Sequence, residues 1–160
     1  MVTIKKIHFI TSFFLIIGII LNLLPLPGIL SSCKPPILLL FLIYWSLAFP
    51  SNVNLTYAFI AGLIMDILLI TPLGYNALCF TITIYLILLY YPQIRLQSSW
   101  NKMFSLLIIL IPYFIMSTAI NDLLLIEYNI FNVILSVLIS IIIWPGLFNV
   151  LRFIRQKYTL

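Results

Sequence analysis

The sequence contains very little charge. Only 7% of its 160 residues are Asp, Glu, Lys or Arg, and only three residues are acidic. A soluble domain has about 25% charged residues, which cover its surface and keep it in solution. So few charges exclude a soluble enzyme and a disordered linker. They indicate an integral membrane protein with almost no part outside the bilayer.

Residues that build reactive or metal-binding sites are also scarce. The sequence has two cysteines, Cys33 and Cys79, and one histidine, His8. Two distant cysteines provide neither a disulfide framework nor the spacing of metal ligands. Paired carboxylates and glycine-rich phosphate loops do not occur in the sequence either. We therefore expect no catalytic site, no bound metal and no cofactor.

Apolar residues, in contrast, make up 64% of the chain, and the mean hydropathy is +1.27. A helix needs about 20 apolar residues to cross about 30 Å of hydrocarbon. Proline, glycine and short polar stretches divide the chain into apolar segments. The pattern predicts a single all-α polytopic membrane domain over residues 1–160, a compact bundle of six transmembrane helices at about 7–24, 37–49, 53–70, 77–91, 103–120 and 130–151.

The second segment, residues 37–49, forms only about 20 Å of helix, which is short for a full crossing. The basic residues decide whether it crosses, because loops rich in Lys and Arg stay in the cytoplasm. With six crossings and both termini inside, seven of the eight basic residues are cytoplasmic and only Lys34 is outside. With five crossings, six of them would lie outside. We therefore predict six crossings and cytoplasmic termini.

The formal net charge of +5 does not indicate a nucleic-acid partner, because the basic residues are scattered along the chain. The basic tail at 152–157 is suited to orienting the protein and attracting anionic lipid, and docking of a cytoplasmic protein there is an open alternative. Leu30-Ser31-Ser32-Cys33 weakly resembles a lipoprotein cleavage box. The apolar core before it is longer than that of a signal peptide, so we expect this helix to be retained.

Asp66 is the only acidic residue inside a predicted span. Burial of a carboxylate costs about 2.5–3.5 kcal/mol on insertion scales, so the residue needs a functional or a structural explanation. A proton or cation relay requires several ionisable groups in sequence, and no other span supplies them. We therefore expect Asp66 to lock two helices together. Lys34 is its expected partner, because the two residues lie at mirrored positions in a hairpin around Pro50.

Ala58 and Gly62 precede Asp66 at steps of four, so the three residues form a stripe on one face of the third helix. Small residues at this spacing let another helix approach closely. We expect the Ala58–Gly62–Asp66 stripe to be an interface, either with a helix of this chain or with a partner. The hydroxyls of Ser136 and Ser140 are expected to bond to carbonyl groups one turn earlier or to a neighbouring helix.

Several short motifs occur in a characteristic order along the chain. The run 61–66, Ala-Gly-Leu-Ile-Met-Asp, is followed by Pro72-Leu73-Gly74 and then Ala77-Leu78. In order and spacing, over essentially the whole chain, the motifs resemble the signature of the MreD family of bacterial rod shape-determining membrane proteins. One departure is Ala58, where family members often have glycine. Further motifs that fit are Lys34-Pro35, Tyr44-Trp45, Leu47-Ala48-Phe49-Pro50, Trp144-Pro145, Leu151-Arg152 and Arg155-Gln156.

The resemblance implies a non-enzymatic, multi-pass inner-membrane component of the cell-elongation machinery, which controls rod shape through peptidoglycan synthesis. It implies binding to MreC, a single-span protein with a periplasmic domain, and action alongside MreB, RodZ, RodA and RodA's partner transpeptidase. It also implies a fold similar to the substrate-binding subunits of energy-coupling-factor vitamin transporters. The residues expected to serve structure or partner binding are Lys34, Ala58, Gly62, Asp66, Pro72 and Gly74.

A small-solute transporter subunit of the vitamin type is the alternative function. Those subunits resemble one another in an alanine-xxx-alanine motif on the first helix, and the first segment here contains no alanine. No predicted span offers a convergent polar pocket. An intramembrane enzyme is a more distant alternative, because the sequence shows no nucleophile–base pair. We therefore expect a membrane scaffold.

Overall fold

The computed structural model describes residues 4–25, 34–96, 99–125, 127 and 129–159. These residues form six α-helices and no strand, so the prediction of an all-helical fold is confirmed. The possible cleavage box that ends at Cys33 lies outside the described residues. In chain order the helices are α1 (Ile4–Leu23), α2 (Ile37–Ala48), α3 (Leu55–Leu69), α4 (Tyr75–Leu96), α5 (Ser99–Leu123) and α6 (Ile130–Thr159).

Local sequence explains where α3 begins and ends. The side-chain oxygen of Asn54 accepts a hydrogen bond from the N–H of Thr56 at 3.2 Å, and asparagine is a preferred residue at this capping position. At the other end, Ile70 has a left-handed backbone with φ of 56°, and its N–H donates to the carbonyl of Asp66. Pro72 follows two residues later and cannot continue the helix.

Two helices are long and apolar enough, by length and composition, to cross a membrane among the residues described. They cover Tyr75–Ile94 and Ile130–Lys157, and the remaining apolar helices are shorter. Both α4 and α6 extend beyond the spans expected for them, and each contains a proline, Pro92 in α4 and Pro145 in α6. A proline removes one backbone hydrogen bond, which a membrane helix tolerates when neighbouring turns keep theirs. The prediction of six crossings stays a prediction.

α2 lies at the centre of the bundle. All of its residues from Leu38 to Ser46 are buried. It packs against α1, α4 and α6, whereas α3 packs most extensively against α4, and α5 lies between α4 and α6. With 12 residues, α2 is about 18 Å long. The segment whose shortness made its crossing doubtful is therefore the most enclosed helix of the protein.

An aromatic cluster surrounds the C-terminal end of α2. The ring of Trp45 lies 5.7 Å from that of Phe14 in α1 and 5.9 Å from that of Phe49, measured between centroids. The ring of Tyr44 packs edge-on against Phe148 of α6 at 5.4 Å. Such pairs stabilise beyond the area they bury, so they fix α1 and α6 around this end of α2.

The outer surface of the bundle is largely apolar. Phe9 on α1 is 75% exposed, Leu89 on α4 is 56% exposed and Ile142 on α6 is 74% exposed. Water-soluble monomers rarely expose apolar side chains in continuous patches of this kind. Lipid would cover such a surface without a hydrophobic penalty, in agreement with the composition of the chain.

Candidate functional site at the α3–α4 junction

A tight turn joins α3 to α4 and brings together four candidate residues, Gly62, Asp66, Pro72 and Gly74. After Ile70, the chain passes through Thr71, Pro72, Leu73 and Gly74 before α4 begins at Tyr75. Gly74 has φ of +102°, a conformation that glycine adopts without the steric cost of a Cβ atom. The carbonyl of Pro72 accepts a hydrogen bond from the N–H of Tyr75 at 3.0 Å, which closes the turn.

The carboxylate of Asp66 is fully buried beneath this turn. Its Oδ1 accepts hydrogen bonds from the hydroxyl of Thr71 at 2.9 Å, the N–H of Asn76 at 2.8 Å and the side-chain amide of Asn76 at 2.9 Å. Its Oδ2 accepts from the N–H of Gly74 at 2.9 Å and from the N–H of Ala77 at 3.4 Å. Both oxygens are therefore occupied by donors of the same chain.

This arrangement caps α4 from a neighbouring helix. The first N–H groups of any helix have no partner within the helix, and they carry the positive end of its dipole. Asp66 lies ten residues before Asn76, yet its carboxylate binds these groups as a local capping residue would. The hydrogen bonds to the charged oxygens offset the cost of burying the acid.

The geometry makes Asp66 a structural lock between α3 and α4. The described residues contain no group of three or more His, Cys, Asp or Glu that could hold a metal ion. Thr71 and Asn76 contribute three of the five hydrogen bonds, and neither residue is among those that the sequence predicts for this site. The sequence feature that could have identified them is the turn motif, since Thr and Asn are frequent around turns and helix starts.

The prediction that Lys34 and Asp66 form an ion pair is wrong for the part of the chain that the structure describes. The prediction assumed that α2 and α3 form an antiparallel hairpin around Pro50. In the structure α2 packs on α1, α4 and α6, and α3 packs mainly on α4, so mirrored positions in the chain do not meet. Backbone and side-chain donors from the α3–α4 turn occupy the carboxylate instead.

Lys34 instead lines a polar cavity of about 390 Å³ at the ends of α5 and α6. Its polar groups come from the segment before α2, from α5, from α6 and from the connection between α5 and α6, so no single span carries them. The lining residues are Lys34, Tyr113, Phe114, Ser117, Asn121, Glu127, Asn129, Asn132, Val133 and Ser136.

The Ala58–Gly62–Asp66 stripe faces α4. Ala58 and Asp66 have no exposed surface, and Gly62 is buried. A Cβ atom at Gly62 would lie 2.8 Å from the carbonyl carbon of Asn76 and 2.5 Å from the backbone nitrogen of Ala77. Real Cβ atoms do not approach backbone so closely. Of the two interfaces left open by the sequence, the structure places the stripe at one within the chain.

Three other buried hydroxyls bond to carbonyl groups of their own helices. Thr83 donates to the carbonyl of Cys79 at 2.7 Å, Ser136 to that of Asn132 at 2.9 Å, and Ser140 to that of Ser136 at 2.6 Å. This pattern satisfies polar groups in an apolar environment without a partner helix. The expectation for Ser136 and Ser140 is confirmed.

The chain is similar to known proteins over nearly its whole length. The family model described as rod shape-determining protein MreD matches residues 3–154. The rod shape-determining protein MreD of Haemophilus influenzae is 34% identical over 157 residues, which cover 94% of this chain and 93% of that protein. No solved structure matches the chain significantly.

Asp66→Asn is expected to destabilise the protein by about 1–3 kcal/mol, because the new amide group would face N–H donors and leave one of them unsatisfied. The midpoint of thermal unfolding of the purified protein in detergent measures the effect. Asp122→Asn is the matched control, since Asp122 is exposed near the end of α5. Equal midpoints for the two variants would contradict the capping role.

Gly62→Ala is expected to lower the amount of protein in the membrane and its unfolding midpoint, because the added Cβ forces α3 away from the backbone of α4. Gly146→Ala is the control. No atom lies within 4 Å of a Cβ at Gly146, and alanine is the better helix former there by about 1 kcal/mol. If both variants accumulated equally and unfolded at the same temperature, close packing at Gly62 would be refuted.

Proposed function

The chain belongs to the MreD family of rod shape-determining proteins, and on that premise we propose that it is a non-enzymatic membrane scaffold of the cell-elongation machinery. The observation that carries the proposal is the similarity, over nearly the whole length of both chains, to a rod shape-determining relative. A scaffold role is further supported by the α3–α4 junction, where the buried carboxylate is occupied by donors of its own chain.

The proposed topology has six membrane crossings, with both termini in the cytoplasm. Three contacts support it, because each joins helix ends that this topology places on one side. His8 at the start of α1 bonds to the hydroxyl of Tyr57 at the start of α3, at 2.5 Å. Phe9 and Ile154 line one cavity, which brings the start of α1 beside the end of α6. Tyr75 at the start of α4 bonds to Ser117 in the second half of α5, at 2.6 Å.

A reporter fused after Leu160 tests the topology. We expect a C-terminal fusion to green fluorescent protein to fluoresce and a fusion to periplasmic alkaline phosphatase to be inactive, because the basic residues keep this end in the cytoplasm. Matched fusions in the loop after α5, near Glu127, are expected to give the reverse result. Alkaline phosphatase activity at the C-terminal fusion would refute six crossings.

The proposed direct partner is MreC, and MreB, RodZ, RodA and RodA's partner transpeptidase complete the proposed machinery in the inner membrane. Because α4 covers the Ala58–Gly62–Asp66 stripe, we propose that the stripe, Pro72 and Gly74 maintain the fold. MreC would then bind to the apolar outer surface, where side chains such as Ile142 are available. The proposed likeness of the six-helix fold to energy-coupling-factor subunits stays a prediction.

Co-purification tests the scaffold. Loss of the protein is expected to make rod-shaped cells round, and a tagged copy at native level is expected to restore rods and to recover MreC from the membrane. For Gly62→Ala, we expect less protein but an unchanged amount of MreC per molecule, because the stripe is internal. If less MreC were recovered per molecule of Gly62→Ala at matched membrane levels, the stripe would belong to the partner interface. If the unchanged protein recovered no MreC, the scaffold proposal would be refuted.

A small-solute subunit is the second candidate, and the polar cavity beside Lys34 is the observation that favours it. Its volume of about 390 Å³ is in the range of small-molecule sites. Mass spectrometry of small molecules released from the purified protein separates the two candidates. A solute bound in equal molar amount, and lost in Lys34→Ala, would favour the transporter subunit.

A further inference from the structure

A second cavity, of about 230 Å³, lies where the C-terminal ends of α2, α4 and α6 meet. Its lining combines two arginines with a phenol and apolar side chains, and the described residues contribute no acidic group to it. The residues are Tyr44, Leu47 and Ala48 from α2, Ile94 from α4, and Phe148, Arg152 and Arg155 from α6. The cavity is remote from the α3–α4 junction, which lies at the opposite ends of these helices.

The two arginines give the cavity a positive charge. Cζ of Arg155 lies 6.0 Å from the centroid of the Tyr44 ring, and Arg152 lines the same cavity. The arginines are three positions apart on one helix, so they share a face of α6. Guanidinium groups bind phosphate through two parallel hydrogen bonds, which makes a pair of them a strong phosphate-binding element.

The hydroxyl of Tyr44 supports the same kind of ligand. Tyr44 is only 2% exposed, and its hydroxyl has no hydrogen-bond partner among the described residues. A buried hydroxyl without a partner is costly, so native proteins rarely retain one. Tyr44 also lines the cavity, so an anion held there is the acceptor assigned to this hydroxyl.

The apolar part of the lining identifies the source of the anion. Leu47, Ala48, Ile94 and Phe148 would gain nothing from a free inorganic anion, but they can contact the glycerol and the first methylene groups of a lipid. The cavity also lies at the ends of the helices, where headgroups meet a bundle of this kind. We propose that it binds the phosphate group of an anionic phospholipid, and its assignment to the cytoplasmic leaflet rests on the proposed topology.

A titration of the purified full-length protein in neutral detergent with phosphatidylglycerol tests this proposal, with binding followed by native mass spectrometry. Phosphatidylcholine and inorganic phosphate are the comparison ligands. We expect phosphatidylglycerol to bind most tightly and to raise the midpoint of thermal unfolding. The measurement involves neither cell shape nor MreC. A failure of the lipid proposal can therefore be distinguished from a failure of the scaffold proposal.

Three substitutions locate the site. Arg152→Gln and Arg155→Gln are expected to weaken phosphatidylglycerol binding at least about tenfold, as the loss of a hydrogen bond to a charged group does. Lys157→Gln removes the same charge from the tail without touching the cavity lining, so its effect is expected to be about fivefold at most.

Tyr44→Phe provides a test that does not alter the charge. It is expected to raise the unfolding midpoint without lipid, because it removes a hydroxyl that has no partner. With phosphatidylglycerol present, it is expected to bind about tenfold more weakly than the unchanged protein. A purely structural role of Tyr44 would not produce a variant that is more stable without lipid and yet binds the lipid more weakly.

Three results would overturn the proposal. Equal losses in Arg152→Gln, Arg155→Gln and Lys157→Gln, with no effect of Tyr44→Phe, would show general attraction to the basic tail. Full stabilisation by inorganic phosphate alone would assign the cavity to a soluble phosphate compound. Binding of hexaglutamate with no binding of phosphatidylglycerol would assign it to an acidic protein partner.

Discussion

The first N–H groups of a helix have no acceptor within the helix, and in this protein the buried carboxylate of Asp66 binds those at the start of α4. A buried acid and an uncapped buried helix end would each be costly, and here each compensates the other. These hydrogen bonds require Asp66 to lie directly under the start of α4. Gly62, one turn earlier on α3, permits that approach because it has no side chain.

The position of α4 then determines much of the bundle. α4 packs against α2, α3 and α5, so its displacement would alter three interfaces. Tyr75, the first residue of α4, bonds to Ser117 and thereby joins the capped end to α5. Such polar contacts between helices help to specify which helix faces pack together.

The helical fold, the order of the helices and the structural role of Asp66 could be read from the sequence, because they depend on local composition and on the cost of a lone acid in a span. The partner of Asp66 could not. A hairpin around Pro50 would bring Lys34 to Asp66, whereas in the structure α2 packs against α1, α4 and α6, an arrangement that depends on the whole bundle. The polar cavity beside Lys34 could not be read from the sequence either, because its asparagines come from separate elements of the fold.

The central place of α2 has a consequence for the order in which the protein is made. α2 is the second helix to leave the ribosome, but two of the helices that enclose it, α4 and α6, are synthesised later. Until they arrive, the faces of α2 that they cover have no partner within the chain. The innermost helix of the finished protein therefore waits for the last helix to be synthesised before its surroundings are complete.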